Sequence, residues 1–263
     1  MTIDYLTIFL LMISGFGSGL FIGLGSGTTG TIMITFLTVF MGHSIHQAIG
    51  TSLMIDCIIG GIAGLIYIKH RNVNIRPGLL LAFTGVIGAF IGSRFTSSAP
   101  ESGLAIVIGF IMIVLGANFL INGFQKNIDF VESKINFKGI LKHKTIFLFI
   151  TGLFLGFMCG FMGVGLAGIV GLTLIFVFGY EIHKAVGTAL IMIFFISGSG
   201  TIGHIINNEI IYTAIIIAGF SAALGAISGS LVANKINEDK LGRLIGTVIL
   251  ILGTIMLLKY FLI

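Results

Sequence analysis

The octapeptide HQAIGTSL at residues 46–53 is written a second time as HKAVGTAL at residues 183–190. The offset is 137 residues, and without a gap it also pairs Gly15 with Gly152, Gly19 with Gly156, Gly23 with Gly160, Gly42 with Gly179, and Gly61 with Gly198. The same register continues through Gly88 and Gly225, Gly92 and Gly229, Ser93 and Ser230, Glu101 and Glu238, Gly109 and Gly246, and Gly116 and Gly253. Chance does not sustain a register of this length, so the chain is a duplication. The homologous stretches run from about 11 to 123 and from about 148 to 260. This divides the protein into a first repeat, 1–123, a basic linker, 124–144, carrying Lys126, Lys134, Lys138, Lys142 and Lys144, and a second repeat, 145–263.

The composition names the solvent of both repeats. Of 263 residues, 56% are hydrophobic and 9% charged, a balance that a water-exposed surface does not tolerate. Outside the linker the sequence divides into apolar stretches of the roughly 20 residues needed to cross a bilayer. The net charge of +5 lies in short loops between them, which speaks for membrane orientation and against a nucleic-acid partner. The first apolar run follows Asp4 with no basic residue ahead of it, so it is expected to be a permanent span and not a cleaved signal. All five tyrosines, Tyr5, Tyr67, Tyr180, Tyr212 and Tyr260, fall near the ends of apolar runs, where headgroups favour them.

Within each half three runs read as ordinary spans: 48–68, 77–95 and 103–123, then 185–206, 210–232 and 241–262. The opening run of each half is different, being interrupted by GLGSGTTG at 23–30 and GFMGVGLAG at 160–168. Glycine clusters favour a break in a helix. The expectation is therefore an all-α polytopic membrane protein of eight to ten helical segments, each repeat a glycine-broken helical hairpin followed by three transmembrane helices. If each hairpin leaves the chain on its starting side, twelve of the fourteen Lys and Arg share one face and only Arg94 and Lys259 lie on the other. A single crossing would divide them nine against five. The positive-inside rule selects the hairpin, which makes the two repeats inverted, the linker and basic loops cytoplasmic, and both termini external in the cell membrane.

A broken helix exposes unpaired backbone N–H groups at the positive end of its dipole, an anion site in prospect. The expected substrate-binding residues are Gly25, Ser26, Gly27, Thr28 and Thr29 at the first break, with Gly163 and Gly165 at the second. Hydroxyls that can join them are Thr51 and Ser52 in one half and Thr188, Ser197, Ser199 and Thr201 in the other. The plainer role for any one of these is a bond to its own preceding helical carbonyl. Asp56 is the one carboxylate deep inside an expected span, matched by Ile193 in the second half. It suits proton coupling or a structural hydrogen bond. His46 and His183 recur before a helix, where a local structural role is expected, and His204 sits late in its span. Cys57 and Cys159 are too few for a metal cluster and suit packing. No cofactor, metal site or catalytic constellation is expected.

The motifs GLGSGTTG with HQAIGTSL, and GFMGVGLAG with HKAVGTAL, together resemble the TauE/SafE family of sulfite exporter-like membrane proteins, over nearly the whole chain. The resemblance implies a permease, not an enzyme, for sulfite, sulfonates or related sulfur-containing anions. Two other classes stay open on the residues themselves: an ion channel or proton-coupled cation exchanger centred on Asp56, and a membrane-embedded sulfur-handling enzyme or subunit acting through Cys57 or Cys159.

Overall fold

The computed structural model describes residues 4–24, 29–122, 143–163, 167–232 and 238–262. Ten α-helices make up the described residues: α1 (Tyr5–Gly23), α2 (Thr29–Thr35), α3 (Ile45–Lys69), α4 (Leu79–Thr96), α5 (Glu101–Asn122), α6 (Lys144–Met162), α7 (Ala167–Phe178), α8 (Ile182–Ile206), α9 (Tyr212–Val232) and α10 (Glu238–Leu262). Seven of them, α1, α3, α4, α5, α6, α8 and α9, are long and apolar enough to cross a membrane. Their outward faces carry large apolar side chains such as Phe83, Phe110, Phe154 and Phe220. The linker, apart from His143 and Lys144 at the start of α6, lies outside the described residues.

Each half opens on a long helix followed by a short one. α1 ends at Gly23 and the chain is helical again from Thr29; α6 ends at Met162 and α7 begins at Ala167. α2 has seven residues and passes directly into a five-residue π-turn, Phe36–Phe40. α7 has twelve residues. At 1.5 Å per residue either arm is about 18 Å long, well short of a bilayer core. Both arms are followed by a glycine in the left-handed region, Gly42 at φ 70° and Gly179 at φ 65°, a conformation that a Cβ makes costly. The non-glycine exceptions keep the same spacing: Arg71 at φ 60° and Asn208 at φ 58° are 137 residues apart and each follows a long helix.

Packing follows the register of the small residues. On α1, a Cβ added at Gly15, Gly19 or Gly23 would lie 2.3, 1.9 or 2.5 Å from the carbonyl oxygens of Ala218, Ala222 and Ala226 of α9, so these helices touch backbone to backbone and run parallel. The duplicate contact puts Gly152, Gly156 and Gly160 of α6 against the carbonyls of Leu81, Gly85 and Ala89 of α4, also parallel. The pairs formed by equivalent helices run the other way. Along α3 and α8, Gly50 meets His204, Gly60 meets Leu190 and Phe194, and Gly187 meets Tyr67, an antiparallel register. α5 and α10 do the same, with Gly109 against Gly253 and Gly116 against Gly246.

The helix starts differ from the expected spans by two or three residues. α3 begins at Ile45, capped by Ser44 accepting from the Gln47 N–H at 3.3 Å, three residues before the expected start. Asp56 therefore sits at mid-helix. The chain before α4 makes a 3₁₀ turn at Arg76–Gly78 that delays the helix to Leu79.

Candidate functional site

The last carbonyls of α6 have no helical N–H to accept, and three other helices supply side chains at that end. Thr96 of α4 donates to the Phe161 oxygen at 3.0 Å and lies 3.4 Å from that of Gly160. Ser52 of α3 lies 2.8 Å from the Ile49 oxygen in its own helix and 3.3 Å from the Gly163 oxygen. His204 of α8 places Nε2 3.1 Å from the Gly160 oxygen and Nδ1 2.6 Å from the Glu209 carboxylate. Gly163 closes the helix in the left-handed conformation, with its N–H on the Cys159 oxygen at 2.8 Å. A Cβ at Gly163 would meet Ile49 at 2.9 Å and the Ser52 hydroxyl at 3.0 Å, so the break is pressed against α3.

Among the expected site residues, Ser52, Gly163 and Ser197 come together here; Ser197 is fully buried, with its hydroxyl 3.9 Å from the Cys159 sulfur. Thr51 and Thr188 are held elsewhere, in duplicate. The Thr51 hydroxyl accepts the Ile211 N–H at 2.9 Å, and the Thr188 hydroxyl accepts the Asn74 N–H at 3.0 Å while donating to the Lys184 oxygen at 2.6 Å. Each ties the chain entering α4 or α9 to the start of an equivalent helix. Ser199 donates to the Val86 oxygen of α4, and Thr201 back to Ser197 within α8. Thr29 opens α2, whereas Gly25, Ser26, Gly27, Thr28 and Gly165 lie outside the described residues.

Asp56 is completely buried at the middle of α3, and among the described residues neither of its carboxylate oxygens has a hydrogen-bond partner. Burying a carboxylate without donors is costly, which marks the position. The Ser18 hydroxyl of α1 is likewise buried without one. His46 bonds the Ala99 oxygen through Nε2 at 3.0 Å and sits 3.6 Å from Glu101, linking the starts of α3 and α5.

Sequence reasoning missed Thr96 and Glu209, and a signal existed for the second. The repeat offset aligns His204 with Tyr67 and Glu209 with Asn72, so a histidine–carboxylate pair in one half stands where the other has a phenol and an amide. In that half Tyr67 and Asn72 help line a cavity of about 40 Å³ with Ile66, His70, Ser230 and Leu231. Burial alone would raise the Glu209 carboxyl. Side-chain hydrogen bonds with His204 and Ser97, and the electrostatic influence of His204 and His46, outweigh it and hold the group below the usual carboxylate range.

The family model described as sulfite exporter TauE/SafE matches residues 11–256. Two Bacillus subtilis proteins described as probable membrane transporter proteins are similar to this chain. YunE is 24% identical over 257 residues, spanning 89% of this chain and 90% of its own length. YdhB is 24% identical over 226 residues, spanning 86% and 90%. A Haemophilus influenzae protein, also described as a probable membrane transporter protein, is 25% identical over 240 residues, spanning 91% and 89%. No solved structure matches the chain.

Proposed function

The chain belongs to the TauE/SafE family of membrane transporters, and we propose that it exports a small anion, sulfite or a related sulfonate, through a path bounded by its two broken helices. The observation that carries this reading is the second break: a helix end held inside the bundle by side chains of α3, α4 and α8, with the hydroxyls of Ser52 and Ser197 beside it. Irregular backbone at membrane depth is tolerated where protein or a watery path surrounds it, and half-helices are a common way for transporters to hold ions. The backbone N–H groups that open α2 and α7, with Gly25, Ser26, Gly27, Thr28, Thr29, Gly163 and Gly165, form the oxyanion site in this reading. Neutral donors suit a substrate that must also leave. Thr51, Thr188 and Ser199 keep the surrounding helices in place.

The two repeats are inverted in this account. Support comes from the antiparallel contacts of equivalent helices, α3 with α8 and α5 with α10, which a two-fold axis in the membrane plane produces. The same register sets the end of α3, with Lys69 and Arg71, beside the start of α8, with Lys184. These basic residues, with the linker, then face the cytoplasm.

With the cytoplasm negative, each exported negative charge gains about 2.3 kcal/mol per 100 mV, so efflux proceeds without coupling. Uptake against that potential would need coupling, and Asp56, at the middle of α3 with no hydrogen-bond partner for either carboxylate oxygen among the described residues, is the group we assign to proton coupling. Reconstitution in proteoliposomes tests the reading: saturable sulfite flux under an imposed potential is expected, inhibited by small sulfonates and not by cations. Cation flux that ignores sulfite would replace it with a cation exchanger centred on Asp56. Absence of any sulfite flux would overturn it.

A further inference from the structure

A carbonyl oxygen can only accept a hydrogen bond, so the Nε2 atom of His204, 3.1 Å from the Gly160 oxygen, must carry a hydrogen. Nδ1 of the same ring lies 2.6 Å from a carboxylate oxygen of Glu209, a separation that requires a proton between the two atoms. The ring is wholly buried and the Glu209 side chain is 12% exposed, so water is poorly placed to substitute for either partner. Whichever atom holds it, the pair contains one proton more than a neutral imidazole beside a carboxylate. We propose that His204 and Glu209 form a proton-binding site that pins the end of α6, and that losing the proton releases the second helix break. It rests on the reading that this break borders the substrate path.

The consequence follows from the geometry. Once the shared proton leaves, a nitrogen lone pair faces a carboxylate at hydrogen-bond distance, and the ring must turn or withdraw. Turning to present its remaining N–H to Glu209 gives up the Gly160 carbonyl. Thr96 and Ser52 then hold the helix end alone. An imidazolium at this position also complements the negative end of the α6 dipole, which favours the proton-loaded state. Other ionisable groups on the elements around the pair are His46 at the start of α3 with Asp56 and Cys57 deeper in it, Cys159 of α6, Arg94 of α4, Glu101 of α5 and Tyr212 at the start of α9, while Tyr67 and Lys69 lie at the far end of α3. His46 is engaged with the Ala99 oxygen and Glu101, and Arg94 donates to the Asn207 side chain at 2.9 Å. In the first half the same positions are Tyr67 and Asn72, and this pair has no proton of this kind to lose. The device therefore acts on one break, at the end of the bundle where α8 finishes and α3 begins.

Hydrogen exchange of the peptide ending at Gly163, followed by mass spectrometry on the full chain in lipid nanodiscs without substrate, tests this apart from any transport assay. After correction for intrinsic exchange, protection in the native protein is expected to fall about tenfold or more from about pH 6 to about pH 9, the worth of one hydrogen bond to a charged group. Glu209→Gln, whose amide donates to Nδ1 without a titrating proton, should stay protected throughout. His204→Gln, which keeps a donor for the Gly160 carbonyl, should also be flat and covers a failure of the first variant to fold. A flat native profile, or a folded variant that follows a sloping native one, overturns the proposal. Absent sulfite flux with these profiles intact would overturn the transport reading alone.

Discussion

At Gly19 a Cβ would lie 1.9 Å from the Ala222 carbonyl oxygen, a separation that only movement of a helix can relieve. Two residues earlier, Gly17 has nothing within 4 Å of the same position. Gly19→Leu should therefore cost at least ~3 kcal/mol through separation of α1 from α9. Gly17→Ala should be neutral or gain ~0.5–1 kcal/mol from helix propensity. Thermal unfolding in detergent separates the two, and equal effects would refute the packing account. Asp56→Asn is argued at the same scale: it removes the proton and keeps the shape. Sulfite flux in that variant should respond to an imposed potential and no longer to a pH gradient; a retained pH response would remove Asp56 from coupling. The residue level was legible where chemistry is scarce. One carboxylate in an apolar run stands out, whereas Thr51 and Thr188 look like substrate ligands until the N–H groups of Ile211 and Asn74 are seen on them. That distinction depends on atoms from another half of the chain.

The helices themselves could be read from apolar run length, and their breaks from glycine clusters, because lipid and backbone hydrogen bonding leave few other solutions. Boundaries moved by a few residues where a cap or a 3₁₀ turn intervened, as at Ser44 and Arg76. Two predictions belong to these elements. Thr51→Val and Thr188→Val each leave a backbone N–H without its acceptor, so each should lower stability by ~1–3 kcal/mol and by similar amounts in the two halves. A strongly unequal pair of unfolding midpoints would show that the duplicated tethers are not equivalent. The second concerns the turn between α8 and α9. Glu209 is held below the ordinary carboxylate range, so while the pair keeps its shared proton its contribution is complete above that range and is lost as pH falls through the lowered value. The stability difference between the native chain and Glu209→Gln should hence shrink below about pH 4. A difference independent of acid would contradict the assignment.

For the whole molecule, the sequence reads as two copies of one repeat but does not say which helices touch. Surfaces facing lipid and surfaces facing the bundle are almost equally apolar, so no periodicity identified α9 as the partner of α1. The glycines at 15, 19 and 23 marked a close approach without naming its partner. The orientation of the halves was reached by counting charges, and the antiparallel contacts of equivalent helices support it by an unrelated route. Arg71 and Asn208 allow that orientation to be tested most directly, since they are exposed, stand 137 residues apart and share one backbone conformation. In a chain carrying Cys57→Ala and Cys159→Ala, single variants Arg71→Cys and Asn208→Cys would be labelled in intact cells with a membrane-impermeant thiol reagent. An inverted duplication predicts that Asn208→Cys is labelled from outside and that Arg71→Cys is protected until the membrane is opened; labelling of both from the same side would contradict it.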